Sequence, residues 1–297
     1  MQSLYTISTL ENQGKPGEEI KILQKHFDQT RQLFVYLTYF LAQIGRYAET
    51  DAHTRGSRRL PTYEDLHVNT KIAGNLVIGK ITEDASFNEF VNKDKVEQLL
   101  DKELVKRIYN ELIEAPEYKT YAAKKERDKA EDRNMLEFIL EHFLLGKETF
   151  LSHIEENFTN WDDDGEMVIQ LLVNYLQKPG GYNFKEMISE EKWNFAKDLL
   201  KTVLEKNDHL QGFIIPKLKN WDPERIALLD MILMKMGVAE FLYFETIPPK
   251  VTINEYIDLA KEYSTTQSGQ FVNGILDNIH KELVQEGKMH KVEFKKA

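Results

Sequence analysis

The 297-residue chain contains no cysteine. That excludes disulfides, thiolate zinc sites and cysteine nucleophiles, and it suits a reducing cytoplasm, which is the expected location. Only 8 prolines and 15 glycines interrupt it. Strong helix formers dominate the rest, so an all-α fold is expected. No apolar run reaches the roughly eighteen residues of a membrane span, and no basic-then-apolar opening reads as a secretory signal. Positive charge is also in deficit. Lys and Arg number 39 against 49 Asp and Glu, a net charge of −10, which is the wrong sign for gripping nucleic acid with the whole surface. The imbalance is uneven: residues 1–135 hold 21 basic and 22 acidic side chains, and residues 136–297 hold 18 and 27. Any RNA contact must therefore use a local patch.

Motifs that would carry chemistry or a cofactor are missing. There is no glycine-rich phosphate loop, no nucleophile elbow and no His pair one helical turn apart. Glu64 and His67 form one acid-x-x-His pair, but a di-metal helical bundle needs two such pairs and two further carboxylates. The run Trp161–Asp162–Asp163–Asp164–Gly165–Glu166 lacks the alternating ligands and distal Glu of a calcium loop. It reads as a helix start with favourable first-turn carboxylates. No metal, cofactor or catalytic residue is expected, and the chain reads as a binding protein rather than an enzyme.

What is present is a succession of helix signals, with 41% hydrophobic residues to build a large core. Residues 1–10 read as a helix without a capping residue, as though cut in its middle, and a misassigned start codon is the expectation. After a Gly14–Gly17 turn, a long amphipathic helix carries Ile20, Leu23, Phe27, Phe34, Leu37, Leu41 and Ile44. Residues 49–60 are polar and read as an exposed connection. Their Arg55, Arg58 and Arg59 are either a solvated loop or a phosphate-binding patch. Thr62 with Asp65 caps the next helix. Further helices are expected over 94–114 and 124–145, with a domain boundary near Arg133. Residues 1–135 form an N-terminal part and 136–297 a second helical domain. In the latter, helices are expected over 148–158, 166–177, 190–205, 208–219, 223–243, 253–263 and 268–285. Asp222 before Pro223, Thr252 with Glu255, and Ser268 supply the expected caps.

Two stretches stand out. The helix from Pro223 is apolar on almost every face, from Ile226 to Met236, and should be a central buried rod. Asp230 and Lys235 interrupt it, pointing to an internal ion pair, for Asp230 with Arg225, or to a partner reached from the fold. Then Pro248–Asp277 runs from a double proline through a helix and a polar turn to Phe271–Val272–Asn273–Gly274–Ile275–Leu276–Asp277. An aromatic, an Asn and a Gly at a helix entrance take positions that packing alone would fill with Leu or Ala.

Together with Phe195–Leu200, Asp222–Arg225, Asp230, Glu240, Ile247–Glu255 and Leu259–Lys261, this stretch resembles the bacterial transcription antitermination factor NusB. The match covers about residues 193–279, and Gln2–Tyr5 resembles the tail of that family's first helix. The long intervening stretch resembles an enlarged form, with a helical insertion over about residues 45–135. The resemblance implies a NusB-like helical bundle. It also implies a partnership with NusE, a small-subunit ribosomal protein, on the boxA element of nascent ribosomal RNA, in an antitermination complex on RNA polymerase. By position it implies RNA-side roles for Gln267, Ser268, Phe271 and Asn273, and partner-side roles for Tyr5 and Asp230. Phe271 is either a base-stacking ring or a core aromatic. Lys217 stands where the family can place an aromatic, so charge is expected to serve the RNA face there. An acidic scaffold that binds a ribosomal or polymerase subunit without RNA is the alternative. An RNA cytosine methyltransferase is excluded for want of a Cys nucleophile and a glycine-rich cofactor fold. The family's Arg-rich arm precedes its first helix, so the DNA just upstream should encode, in frame, about nine residues rich in Arg or Lys. Sequencing that reveals a stop codon there contradicts the start-codon expectation.

Overall fold

The computed structural model describes residues 1–9, 17–218, 222 and 225–292, and every regular element among them is helical. In chain order these are α1 (Gln2–Thr9), α2 (Glu18–Gly56), α3 (Tyr63–Leu66), α4 (Leu76–Glu83), α5 (Ala85–Lys93), α6 (Val96–Leu99), α7 (Lys102–Leu112), α8 (Pro116–Ala123), α9 (Lys129–Ile139), α10 (Glu148–Asn157) and α11 (Trp161–Gln177). They continue as α12 (Glu190–Glu205), α13 (Asn207–Ile214), α14 (Leu228–Tyr243), α15 (Pro249–Tyr263) and α16 (Thr266–Gln285). None of these helices is long and apolar enough to cross a membrane. The chain divides into two compact units. One comprises Met1–His26 with Ile188–Ala297, the other Phe27–Met187. Arg133, the boundary read from the sequence, lies inside α9.

In the Phe27–Met187 unit the part of α2 after Phe27 is the central element. Leu33 to Leu37 are all fully buried, so this helix is enclosed rather than laid on a surface. Phe34 meets Tyr182 and Phe184 with ring centroids 5.4 and 4.9 Å apart. A buried polar seam ties the smaller helices together: Asp132, fully buried, accepts hydrogen bonds from Tyr121 Oη at 2.6 Å and Leu76 N at 2.7 Å. Thr62 and Asp65 form the expected capping box of α3.

Three expectations here are corrected. Residues 49–60 are not a connection throughout, because α2 runs to Gly56, where buried Ala48 and the Arg55–Asp51 pair at 2.9 Å continue the helix. The single helix over 94–114 is two. Leu100 is extended, and Asp101 opens α7 by accepting from Glu103 N and Leu104 N at 2.9 Å. The helix expected from 124 begins at Lys129, where Asp128 takes the N-cap and accepts from Glu131 N at 2.9 Å.

In the other unit α14 is the buried rod. Residues 232–241 are buried except Lys235, and α1, α12, α13, α15 and α16 pack around it. At Gly237 a Cβ would stand 2.8 Å from Leu276 Cδ2, so a side chain there would have to push Leu276 aside where α14 meets α16. The helix starts at Leu228, with Arg225, Ile226 and Ala227 before it; Pro223, where a start was expected, lies outside the described residues together with Gly14, Lys15 and Pro16.

The capping role expected of Thr252 is also corrected. Pro248 is the N-cap of α15, and Thr252 lies one turn inside, fully buried, where its hydroxyl donates to Glu240 at 2.7 Å. Tyr256 Oη donates to the same carboxylate at 2.6 Å. One buried acid thus fixes α15 against α14. Ser268 is likewise not the N-cap of α16. Thr265 is, accepting from Ser268 N at 3.0 Å.

Burial raises the Glu240 carboxyl above the usual carboxylate range, while the Tyr256 and Thr252 donors and Lys291 oppose that shift. The folded protein therefore holds this proton more tightly than the unfolded chain does. This group's contribution to stability is full below the unfolded pKa and is lost as pH rises through the folded value. Tyr256→Phe removes the stronger of the two donors. It should cost about 1.5–3 kcal/mol at neutral pH and less under mildly acidic conditions, as measured by chemical denaturation across pH. An equal loss at both pH values would contradict this.

Candidate RNA and partner interface

The face in question is built by α15 and α16, which are joined by Ser264 and Thr265. Their packing is close. A Cβ at Gly269 would stand 2.7 Å from Lys261 Cγ. On α16 the buried residues are Gly269, Val272, Ile275, Leu276, Ile279 and Leu283. With 3.6 residues per turn, the opposite stripe is Gln267, Gln270, Gly274 and Asn278, all exposed. Phe271 borders it, half-buried, with part of its ring against the core cluster. The ring is half-buried and packs against the core, as the core reading expects.

The seven residues singled out from the sequence fare differently. Gln267 and Phe271 share the stripe on adjacent turns. Asn273 is exposed too, but two residues beyond Phe271 it lies roughly 200° around the helix, on the other edge of the stripe. Ser268 is half-buried, with its hydroxyl 2.8 Å from Ser264 Oγ and 3.0 Å from Thr265 Oγ1. It braces the helix entrance from within. Lys217 does not join the group, because it pairs with Glu282 near the far end of α16. Glu282 is roughly 22 Å along the axis from Gln267 at 1.5 Å per residue.

Tyr5 is 46% exposed on α1, whose Leu4 docks into the core. Asp230 is not a surface acid. It is only 6% exposed in the first turn of α14, and its Oδ1 has no hydrogen-bond partner among the described residues. No ion pair with Arg225 forms among them. The helix dipole at the α14 N-terminus is what remains to favour its charge. Lys235 reaches Asn207 Oδ1 at 2.7 Å, and burial lowers its pKa.

Electrostatically, the first turn of α16 carries no acidic residue. Its free N–H groups and positive dipole end are therefore not neutralised locally. Sequence reasoning passed over Gln270 and Asn278, although the helical period counted from Phe271 would have found them.

Gly274, like Gly79 and Gly212, is a helix glycine with open space around it. Beyond its own helix backbone, no heavy atom among the described residues lies within 4 Å of the place its Cβ would occupy, so none of them requires a glycine at this mid-helix position. Gly274→Ala should stabilise the protein by about 0.5–1 kcal/mol, read as a raised denaturation midpoint. A lowered midpoint would mean that a neighbour fills the space.

The profile of the NusB family matches residues 148–281. Proteins named transcription antitermination protein NusB are similar to the chain. The one from Chloroherpeton thalassium is 40% identical over 98 residues, covering 33% of this chain and 46% of its own. The Salinibacter ruber protein is 40% identical over 98 residues, covering 33% and 61%. The Methylacidiphilum infernorum protein is 40% identical over 126 residues, covering 39% and 87%. The chain thus spans about half of the first of these relatives and less than two thirds of the second. No solved structure matches. With most of the third relative's length matched at that identity, and its closing helices carrying the match, the chain belongs to the NusB family, as an enlarged all-helical member.

Proposed function

We propose that the protein is a non-enzymatic, cytoplasmic RNA-binding antitermination factor that acts with NusE on boxA RNA, within an RNA polymerase complex that transcribes ribosomal RNA. The observation that carries the reading is the outward stripe of α16, where a half-buried Phe271 lies beside Gln267, Gln270 and a Gly274 with open space around it. A half-anchored ring can stack an unpaired base with little loss of its own freedom. Amides at the rim can read base edges, and the acid-free helix entrance suits a phosphate. A glycine without an internal reason permits close approach of an RNA or partner backbone. Tyr5 is the partner-side candidate that lies at the surface. Asp230, buried, would serve NusE by positioning the start of α14 rather than by direct contact.

Purified protein, NusE and boxA RNA should form a ternary complex whose affinity falls with salt. Phe271→Ala should weaken it about ten-fold or more, as base stacking is worth about 1–3 kcal/mol. Equal affinity for a scrambled RNA would contradict the reading. The acidic-scaffold alternative draws on the excess of acid in residues 136–297, 27 against 18 basic side chains. It prevails if Phe271→Ala leaves complex formation intact while Tyr5→Ala or Asp230→Asn abolishes it.

A further inference from the structure

Two segments of the Phe27–Met187 unit that are far apart in sequence lie side by side. Residues 51–71 contain the end of α2, α3 and the start of the chain beyond it, and residues 119–129 contain the end of α8 and the entry to α9. Lys71 Nζ donates to Tyr121 O and Lys124 O, each at 2.8 Å, and Asn69 Nδ2 donates to Ala122 O at 2.8 Å. Arg127 donates to Gly74 O. Arg55 and Asn69 from the first segment and Lys119 from the second line one cleft. Together the segments hold nine basic and five acidic side chains, a local charge of +4 in a chain of −10.

The balance between paired and unpaired charges sharpens this. Four of the nine cations are in ion pairs: Arg55 with Asp51 at 2.9 Å, Arg58 with Asp65 at 2.8 Å, Lys119 with Glu114 at 2.8 Å and Lys124 with Glu131 at 2.5 Å. Lys71 and Arg127 bond to carbonyl oxygens, which leave their charge intact. Arg59 and Lys125 are exposed, with no ion-pair partner among the described residues. The first segment also carries an aromatic platform. Tyr63 is 76% exposed, stacked on His67 with centroids 4.0 Å apart and planes 22° apart, and His67 Nδ1 lies 2.8 Å from Tyr63 O. Leu60 and Leu66 flank it, 87% and 59% exposed. A stacked, outward ring pair fixed by its own helix turn, on a segment that also carries exposed cations, is the combination that takes a base on its face and phosphates nearby.

We infer that this face is a second single-stranded RNA contact, separate from the α16 stripe and lying wholly outside the residues that match the NusB family. Tyr63 stacks a base, and Arg59 and Lys125 meet flanking phosphates. The inference rests on the RNA-binding reading and extends it to the inserted region. An acidic polypeptide would use the cations but would leave the exposed ring pair without a role, so RNA is the better occupant.

The test uses the full chain and a fluorescein-labelled oligouridine of about sixteen nucleotides, with binding followed by anisotropy over a range of salt. Tyr63→Ala should weaken binding about ten-fold. Arg59→Glu with Lys125→Glu should weaken it and flatten the salt dependence by about 1.4 in log–log slope, the value for two lost single-strand contacts. Both effects should persist in the Phe271→Ala background. If Tyr63→Ala and the double charge reversal both bind like the parent chain, the inference is overturned, and a boxA complex that still depends on Phe271 would leave the α16 reading in place. It is equally overturned if Tyr63→Ala is silent while charge reversal weakens RNA and heparin alike, because the face is then a polyanion patch without a base site.

Discussion

Helix α14 has no polar face to leave in water. Ten consecutive positions, 232–241, are buried except for Lys235, so the helix must be enclosed, and five other helices pack around it. The energetic drive is apolar burial, but burial alone would let the surrounding helices slide. Glu240 prevents that. A carboxylate cannot remain inside without donors, and the two it finds, Thr252 and Tyr256, lie one turn apart on α15. Lys291 adds its ammonium to the carbonyls of Glu240 and Phe244, at 2.8 and 2.7 Å, closing the far end of α14. The fixed α15 then fixes α16 through the short Ser264–Thr265 link and the Gly269 approach. The outward stripe of α16 is the end of that chain of constraints.

A stripe positioned in this way is fixed by the core, and it is decorated in ways the core does not ask for. Phe271 gives up part of its burial, Gly274 gives up helix propensity, and the first turn does without the acids that α2, α11 and α12 place there. Each choice costs a little stability in the isolated chain, and each makes sense when something else lies against the helix. Residues 27–187 have their own aromatic core and their own polar seam at Asp132, so this unit is a folded body rather than a tether.

Much of this was legible in the sequence. The helical class followed from composition, the buried rod from an apolar run without a polar face, and α16 from its period. The errors have physical causes. Thr252 and Ser268 both looked like caps because a hydroxyl before a helical pattern is the usual cap. In the fold, Pro248 and Thr265 start the helices earlier, and the two hydroxyls are used inside. Residues 49–56 looked like a loop because they are polar, yet polarity there marks an exposed helix face stabilised by Arg55 and Asp51. The burial of Asp230 and the capture of Lys217 by Glu282 depend on contacts distant in sequence, which local pattern cannot supply. The same holds for Tyr63 and Lys125, more than sixty residues apart by number, whose segments only the fold brings together.

The proposed RNA contact lies at the entrance of α16. The most direct measurement is photocrosslinking of boxA RNA carrying 4-thiouridine to the full chain with NusE, with adducts mapped by mass spectrometry. Adducts on the peptide spanning Gln267 to Gly274, with Phe271 among the modified residues, are the expected result. Efficient crosslinking that never touches this peptide, in a complex that forms with full affinity, would contradict the account.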